Sequence, residues 1–203
     1  MRSKIPSTKT LFFKKAVIKS IKFCHKITLN LLEIKYLKMN AAYWVEKLGL
    51  MPHPEGGFFK ETYQSQNYLP SKALPPGFSG QRKISTAIYF LLNDSNFSAF
   101  HKIKSDEIWH FYLGNAVEIF YIDNKNQMQR ICLGNNPANN EVFQAVVPAG
   151  CWFGSRIISK QEYSLVGCTV APGFDFQDFE MADRNKLVAD YPQYFDIINQ
   201  LTH

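Results

Sequence analysis

The chain has 203 residues, enough for one domain with a sizeable core and too few for two ordinary ones. With 46% hydrophobic and 20% charged residues it reads as globular rather than disordered, and an aromatic share of 15% leans toward strands. The formal net charge of +6 is no nucleic-acid footprint. Residues 1–38 hold ten Lys/Arg and one acid, Glu33, whereas residues 39–203 hold thirteen Lys/Arg against sixteen Asp/Glu.

The first segment, residues 1–38, alternates basic and apolar residues. Three readings stand: a basic amphipathic helix on an anionic membrane surface, an organelle presequence, or upstream sequence ahead of a true start at Met39. The third, or a poorly ordered tail, is favoured, and the segment is set apart from a single domain at 39–203. It has no apolar run of the ~18 residues needed to span a bilayer, so membrane contact is expected through residues 1–38 if at all. The four cysteines, Cys24, Cys132, Cys151 and Cys168, lack CxxC spacing. Three lie in apolar, strand-like surroundings, which favours buried free thiols and a reducing, cytoplasmic setting.

From Met39 the local signals sharpen. Asn40 is placed to cap "AAYWVEKLGL", whose Tyr43, Trp44, Leu48 and Leu50 make one helical stripe, with Pro52 and Pro54 ending the helix. "HPEGGFFKETYQS" (53–65) is a turn into a strand. Gly56 and Gly57 supply the backbone freedom of that turn, and a pocket-lining Glu55 is the lesser reading. After a Pro/Gly-rich loop (67–81), strand-like runs follow at 83–92, 97–103, 107–113, 116–122, 128–133, 142–147 and 163–171. Turn residues separate them, which predicts an antiparallel sandwich or barrel. Two short helical patterns close the chain at 183–201, broken before Pro192.

"FHKIKSDEIWHFYLG" (100–114) carries the chemistry-bearing residues. Read as two adjoining strands, His101, Ile103 and Glu107 share a parity and face one interior. His110 has the opposite parity and points away unless a bulge re-aims it. Glu61 and Tyr63 share a face in the earlier strand. Arg82, Lys83, Ser85 and Thr86 are either an anion-binding rim or a solvated strand start. In "GFDFQDFE" (173–180) the Phe residues are expected inside and the acids outside.

"HKIKSDE…G" resembles the first cupin motif, HxH followed by Glu and Gly, and "PAGCWF" (148–153) echoes the second. "HPEGGFFKETY", "STAIYFLL", "SDEIWHFYLG", "VPAGCWFGSR" and "YSLVGCTVAPGFDFQDFE" narrow the likeness to the fifth cupin family. That family's biochemical role is unassigned, and its fold is similar to that of the dTDP-sugar epimerases. The resemblance covers about residues 40–201. It implies a mostly β fold, a double-stranded β-helix (jelly-roll barrel) with short flanking helices, assembled as a homodimer. It also locates two departures: Ile103 stands where the second metal-binding histidine would be, and Phe153 where the second-motif ligand would be. No cofactor is expected, with a divalent metal on His101, Glu107 and a re-aimed His110 as the alternative.

His101 and Glu107 are therefore the candidate catalytic pair, weighed evenly against a structural role. Glu61, Tyr63, Trp109, His110, Trp152 and Phe153 are the candidate ligand-binding residues. The leading expectation is a sugar-like small-molecule ligand, phosphorylated or nucleotide-linked forms included, that the protein isomerises or epimerises by acid–base chemistry. The alternatives are a non-catalytic ligand-binding module and a metal-dependent enzyme. No nucleic-acid partner is expected.

Overall fold

The computed structural model describes residues 39–158 and 162–203. The readings made for residues 1–38, Cys24 included, lie outside the described residues. Helix α1 (Ala41–Leu48) comes first. Its packed stripe is Ala41, Trp44, Val45 and Leu48, set against Leu50, Leu91 and Leu165. Tyr43 is turned outward instead, because it lies two and five positions from that i, i+3, i+4, i+7 set. The helix ends before the prolines. Gly49 at φ +63° lets Leu50 N–H donate to Val45 O at 2.9 Å and Gly49 N–H donate to Glu46 O at 3.1 Å, the paired bonds of a Schellman stop.

The strands are β1 (Met51–Pro52), β2 (Phe58–Gln64), β3 (Tyr68–Leu69), β4 (Arg82–Lys83), β5 (Thr86–Asn93), β6 (Ser98–Lys102) and β7 (Asp106–Gly114). They continue with β8 (Val117–Ile122), β9 (Met128–Leu133), β10 (Gln144–Val147), β11 (Trp152–Ile157), β12 (Tyr163–Ala171) and β13 (Glu180–Met181). A six-stranded sheet runs β1-β2-β5-β12-β7-β10, a five-stranded sheet runs β13-β6-β11-β8-β9, and β3 pairs with β4. From β5 onward the chain passes back and forth between the two large sheets, with a β8–β9 hairpin in the middle. This is the jelly roll that the strand spacing and the resemblance imply. Strand β11 is absent from the runs read in the sequence, because "CWFGSRI" has no two-residue alternation and Gly154 interrupts it. Gly154 has a packing reason: a Cβ there would sit 3.0 Å from the Ser98 carbonyl oxygen.

Alternation divides the apolar residues between two sides of the five-stranded sheet. Between the sheets lies the main core, with Phe90, Leu92, Trp109, Val117, Ile119 and Phe153 among its members. On the back of the smaller sheet, Phe100, Phe120 and Ile122 pack against Leu187, Ile198 and Leu201. Leu187 and Ile198 come from the C-terminal helices α2 (Arg184–Asp190) and α3 (Phe195–Gln200), and Leu201 directly follows α3. Asp183 caps α2, its carboxylate accepting from Lys186 N–H at 2.9 Å. No helix among the described residues is long and apolar enough to cross a membrane.

Two sequence expectations about the barrel rim change here. Arg82 is neither a rim cation nor solvated: it is 3% exposed and grips Asp178 through Nε at 2.6 Å and Nη2 at 2.9 Å. Asp178, expected outside, is 7% exposed, while Phe176, expected inside, is 55% exposed. The reason is the short 3-10 turn Phe176–Asp178, which breaks strand alternation and points the acid inward. Burial alone would raise the Asp178 carboxyl, but hydrogen bonds from Arg82 and Lys104 more than offset it and hold it below the ordinary value. Removing Arg82 leaves the buried Asp178 with only the half-exposed Lys104, and removing Asp178 leaves the Arg82 guanidinium buried without its carboxylate. We therefore expect Arg82→Ala to cost about 3 kcal/mol, seen as a lowered urea midpoint, with the double change to apolar residues less costly than either single one.

Candidate functional site

A cavity of about 100 Å³ opens between the sheets at the end where β2, β5, β6, β7 and β12 converge. The larger sheet supplies Phe59, Glu61, Thr86, Ile88, Phe90, Glu107, Cys168 and Val170. The smaller sheet side gives His101 and, just beyond β6, Ile103. The turn before β2 adds His53 and Glu55, and the loop after β12 adds Phe174 and Phe176. That loop is fastened at three points: Gly173 N–H to Lys83 O at 2.8 Å, Phe174 N–H to Thr86 Oγ1 at 2.9 Å, and Asp178 to Arg82.

The 53–57 turn sets the acidic end of the site. Gly56, at φ +108°, lies so close to β6 that a Cβ would come within 2.0 Å of the Phe97 carbonyl oxygen. Ala99 N–H donates to Glu55 O at 2.8 Å, docking the turn on the strand. These two contacts carry the Glu55 carboxyl inward, where Ser98 Oγ donates to its Oε1 at 2.9 Å. The expectation that the glycines serve the backbone holds. What the backbone positions, however, is a buried acid.

Proton positions follow from the hydrogen-bond partners. His101 Nδ1 lies 2.7 Å from the Ala99 carbonyl, which only accepts, so the proton is on Nδ1 and Nε2 is bare in the neutral ring. Nε2 is 3.1 Å from Glu55 Oε2. A hydrogen bond between these two atoms needs one more proton, and burial decides its place. Burial lowers His101 to about 3, the Ala99 bond offsetting part of the effect. Burial first, and the nearby Glu107 second, push the Glu55 carboxyl well up against the opposing Ser98 bond. Glu55 is therefore a carboxylic acid whose O–H donates to His101 Nε2. His53 Nδ1 accepts from Glu55 N–H at 3.3 Å, and burial lowers that ring to about 4.

Glu107, on the opposite wall, is raised to about 7 by burial, with the Cys168 thiol and the Trp109 indole pulling the other way. The Trp109 Nε1–H approaches the carboxyl without making a full hydrogen bond and has no other partner among the described residues. Cys168 is pushed well up by burial and by Glu107, and it is a neutral thiol. The cavity thus holds a proton-bearing Glu55–His101 pair facing a carboxyl that titrates near neutrality.

Residues 42–182 match the family described as the Cupin superfamily (DUF985). The chain belongs to this cupin family. An uncharacterized protein of Saccharomyces cerevisiae is 34% identical over 138 residues, 64% of this chain and 68% of its own length. A hypothetical protein from Leishmania major is similar in structure, with a TM-score of 0.73 at 32% identity, over 81% of this chain and 99% of that one. A protein from Shewanella oneidensis gives 0.72 at 36% identity, over 81% and 98%.

The residues present do not fit the metal set of metal-binding cupins. Ile103 is 5% exposed and lines the cavity as an apolar residue. Phe153 packs against His101 with its ring tilted, the centroids 4.0 Å apart, and the Phe179 ring lies 5.2 Å away. The His101 nitrogens are engaged by Ala99 and Glu55. Among the described residues no group of three or more His, Cys, Asp and Glu could hold a metal. His110 does not repair the set. It stays on the outer face of β7, where Nε2 meets Thr169 Oγ1 at 3.1 Å and Nδ1 meets Gln144 Nε2 at 3.0 Å. The bulge between β7 and β12 falls at Tyr112, beyond His110, so it cannot re-aim that ring.

The remaining candidates divide. His101, Ile103 and Glu107 converge as their shared parity requires, and Glu61 also reaches the cavity. Tyr63 does not: a bulge between Glu61 and Tyr63 pairs Tyr63 with Ala87 rather than on the Ile88 side, and its ring is exposed. Trp109 is core, edge-on to Phe90 at 5.8 Å. Trp152 packs on the back of the smaller sheet under the Lys102 ammonium. His101 finds its carboxyl partner in Glu55 rather than in Glu107. Sequence reasoning passes over His53, Cys168, Phe174 and Phe176. The signal for His53 and Glu55 was the polar "H-P-E" ahead of a double glycine, a combination that a purely structural turn does not need.

Two outcomes follow. Glu107 has a native value near 7 against an ordinary 4.5, so the folded state holds this proton more tightly. Its contribution to stability is fully present below pH 4.5 and is lost as pH rises through about 7. Between pH 5 and 8 the protein should lose on the order of 3 kcal/mol more stability than Glu107→Gln, measured by urea unfolding. The lowered histidines act in the opposite sense, gaining stability as pH rises toward 6.5, but equally in both proteins. Protein purified without chelator should carry only substoichiometric divalent metal by mass spectrometry.

Proposed function

We propose that this cupin is a small-molecule enzyme of the isomerase or epimerase kind, moving a proton on a sugar-like hydroxycarbonyl compound without a metal ligand set. One observation carries the reading: a buried acid pair and a buried base face each other across one cavity. Glu107 in its ionised form takes the proton from the carbon next to a carbonyl. The carbonyl oxygen receives the proton held between Glu55 Oε2 and His101 Nε2, giving an enol or enediol. Return of a proton to the other carbon, or to the opposite face, completes an isomerisation or epimerisation and restores both groups. No oxidant or co-reactant is required. His53 fixes the turn that carries Glu55, and the Phe153 and Phe179 rings hold His101 in orientation.

A second reading, a binding module without turnover, is favoured by the apolar part of the lining: Phe59, Ile88, Phe90, Val170, Phe174 and Phe176. Solvent-deuterium exchange into small hydroxycarbonyls, followed by proton NMR, separates the two. The enzyme should catalyse exchange at the carbon beside the carbonyl, and Glu107→Gln should slow it about 10²–10⁴-fold. Glu55→Gln should slow it as well, because an amide cannot supply the shared proton. Exchange that survives both substitutions unchanged would remove the assignment. Stoichiometric binding with no exchange in the unaltered protein would leave the binding module.

A further inference from the structure

We infer that the molecule this cavity takes is compact and uncharged, a hydroxycarbonyl of about four to six non-hydrogen atoms, and not a phosphorylated or nucleotide-linked sugar. The inference deepens the proposed function and rests on it for the carbonyl; the size and the charge rest on the cavity.

Size comes first. The cavity volume is about 100 Å³. A protein cavity of about 150 Å³ accommodates benzene, so the space here suits a molecule of that order or smaller. A hexose fits only by protruding, and a nucleotide-linked sugar would leave most of its atoms outside.

Charge comes second. Among the described residues, no lysine or arginine lines the cavity. Of the residues that the sequence offers as an anion-binding rim, only Thr86 lines the cavity, and each has a partner within the protein. Arg82 is taken by Asp178, the Lys83 ammonium sits 3.9 Å above the Tyr68 ring, Ser85 Oγ donates to Val170 O, and Thr86 Oγ1 accepts from Phe174 N–H. Lys104, another cation of this region, also pairs with Asp178, at 3.2 Å. A phosphate entering here would meet Glu107 and Glu61 and, among the described lining residues, no compensating cation, while losing its water. A cation at pH 6.5 would meet Glu107 largely in its protonated form, its value being near 7, beside the uncharged His53, Glu55–His101 pair and Cys168 thiol, with phenyl rings forming much of the wall. Apart from the exposed Glu61, what the cavity offers at that pH is a short set of largely neutral donors and acceptors in apolar walls, the complement of a small neutral polar molecule.

The test uses the full chain and three probes of one skeleton at pH 6.5, titrated by calorimetry and ligand-observed NMR. Dihydroxyacetone is neutral, its phosphate ester is anionic and aminoacetone is cationic. Dihydroxyacetone should bind one per chain, and each charged probe should bind at least tenfold more weakly. Ile88→Trp, which narrows the mouth at a half-buried position, should abolish binding of dihydroxyacetone. Tighter or equal binding of the phosphate ester or of aminoacetone overturns the inference, as does no detectable binding of dihydroxyacetone. If the variant fails to fold, the ratio of the three probes on the unaltered protein decides alone. Binding with the expected order but without deuterium exchange keeps the ligand class and removes only the catalytic reading.

Discussion

The Glu55–His101 contact is the constraint around which this end of the barrel is organised. An acid 7% exposed and a histidine 2% exposed tolerate burial only because each satisfies the other. That requirement holds the 53–57 turn against β6, forces the tight approach at Gly56, and brings His53 into the wall. It also determines the charge of the site. One proton is enough to join the two groups, and neither is then an ion, so the cavity floor stays neutral although it is built from ionisable residues.

The same contact explains how a cupin frame persists with two of its metal positions occupied by hydrocarbon. In a coordination site the histidine nitrogens would be oriented by the metal and by outer hydrogen bonds. Here Ala99 O fixes one nitrogen and Glu55 the other, while Phe153, in the place of a ligand, packs against the ring. Ile103 closes the remaining side with apolar surface. The barrel keeps the strand pair that presents His101 and Glu107 and sets the hydrogen-bonded Glu55–His101 pair across the cavity from the Glu107 carboxyl.

Much of this architecture is legible from residue order. Strand runs punctuated by turns give the jelly roll, and simple parity gives the convergence of His101, Ile103 and Glu107 and the outward turn of His110. Parity fails where the backbone departs from regular strand. The bulge in β2 sends Tyr63 to solvent, and the 3-10 turn at Phe176–Asp178 exchanges the expected inside and outside of Phe176 and Asp178, while Phe174 and Phe179 pack inward and Glu180 stays outside. Strand β11 hides behind Gly154, which is needed for close approach rather than for a turn. The partner of His101 is hidden for another reason. Glu55 lies 46 positions away in a turn, and no local period connects a turn residue to a strand face it reaches only through tertiary packing.

The Arg82–Asp178 pair has one more consequence. It fastens the loop that bears Phe174 and Phe176, yet neither of its residues lines the cavity. The loop is therefore held by this pair at one end and by the backbone N–H groups of Gly173 and Phe174 at the other, and none of these anchors uses a ring, so the side chains at the cavity entrance can be exchanged for others without touching them. Such a wall behaves as a replaceable fitting: different side chains at positions 174 and 176 would give the same acid and base a differently shaped opening. Variation in what the barrel admits is thereby uncoupled from the groups that hold it together.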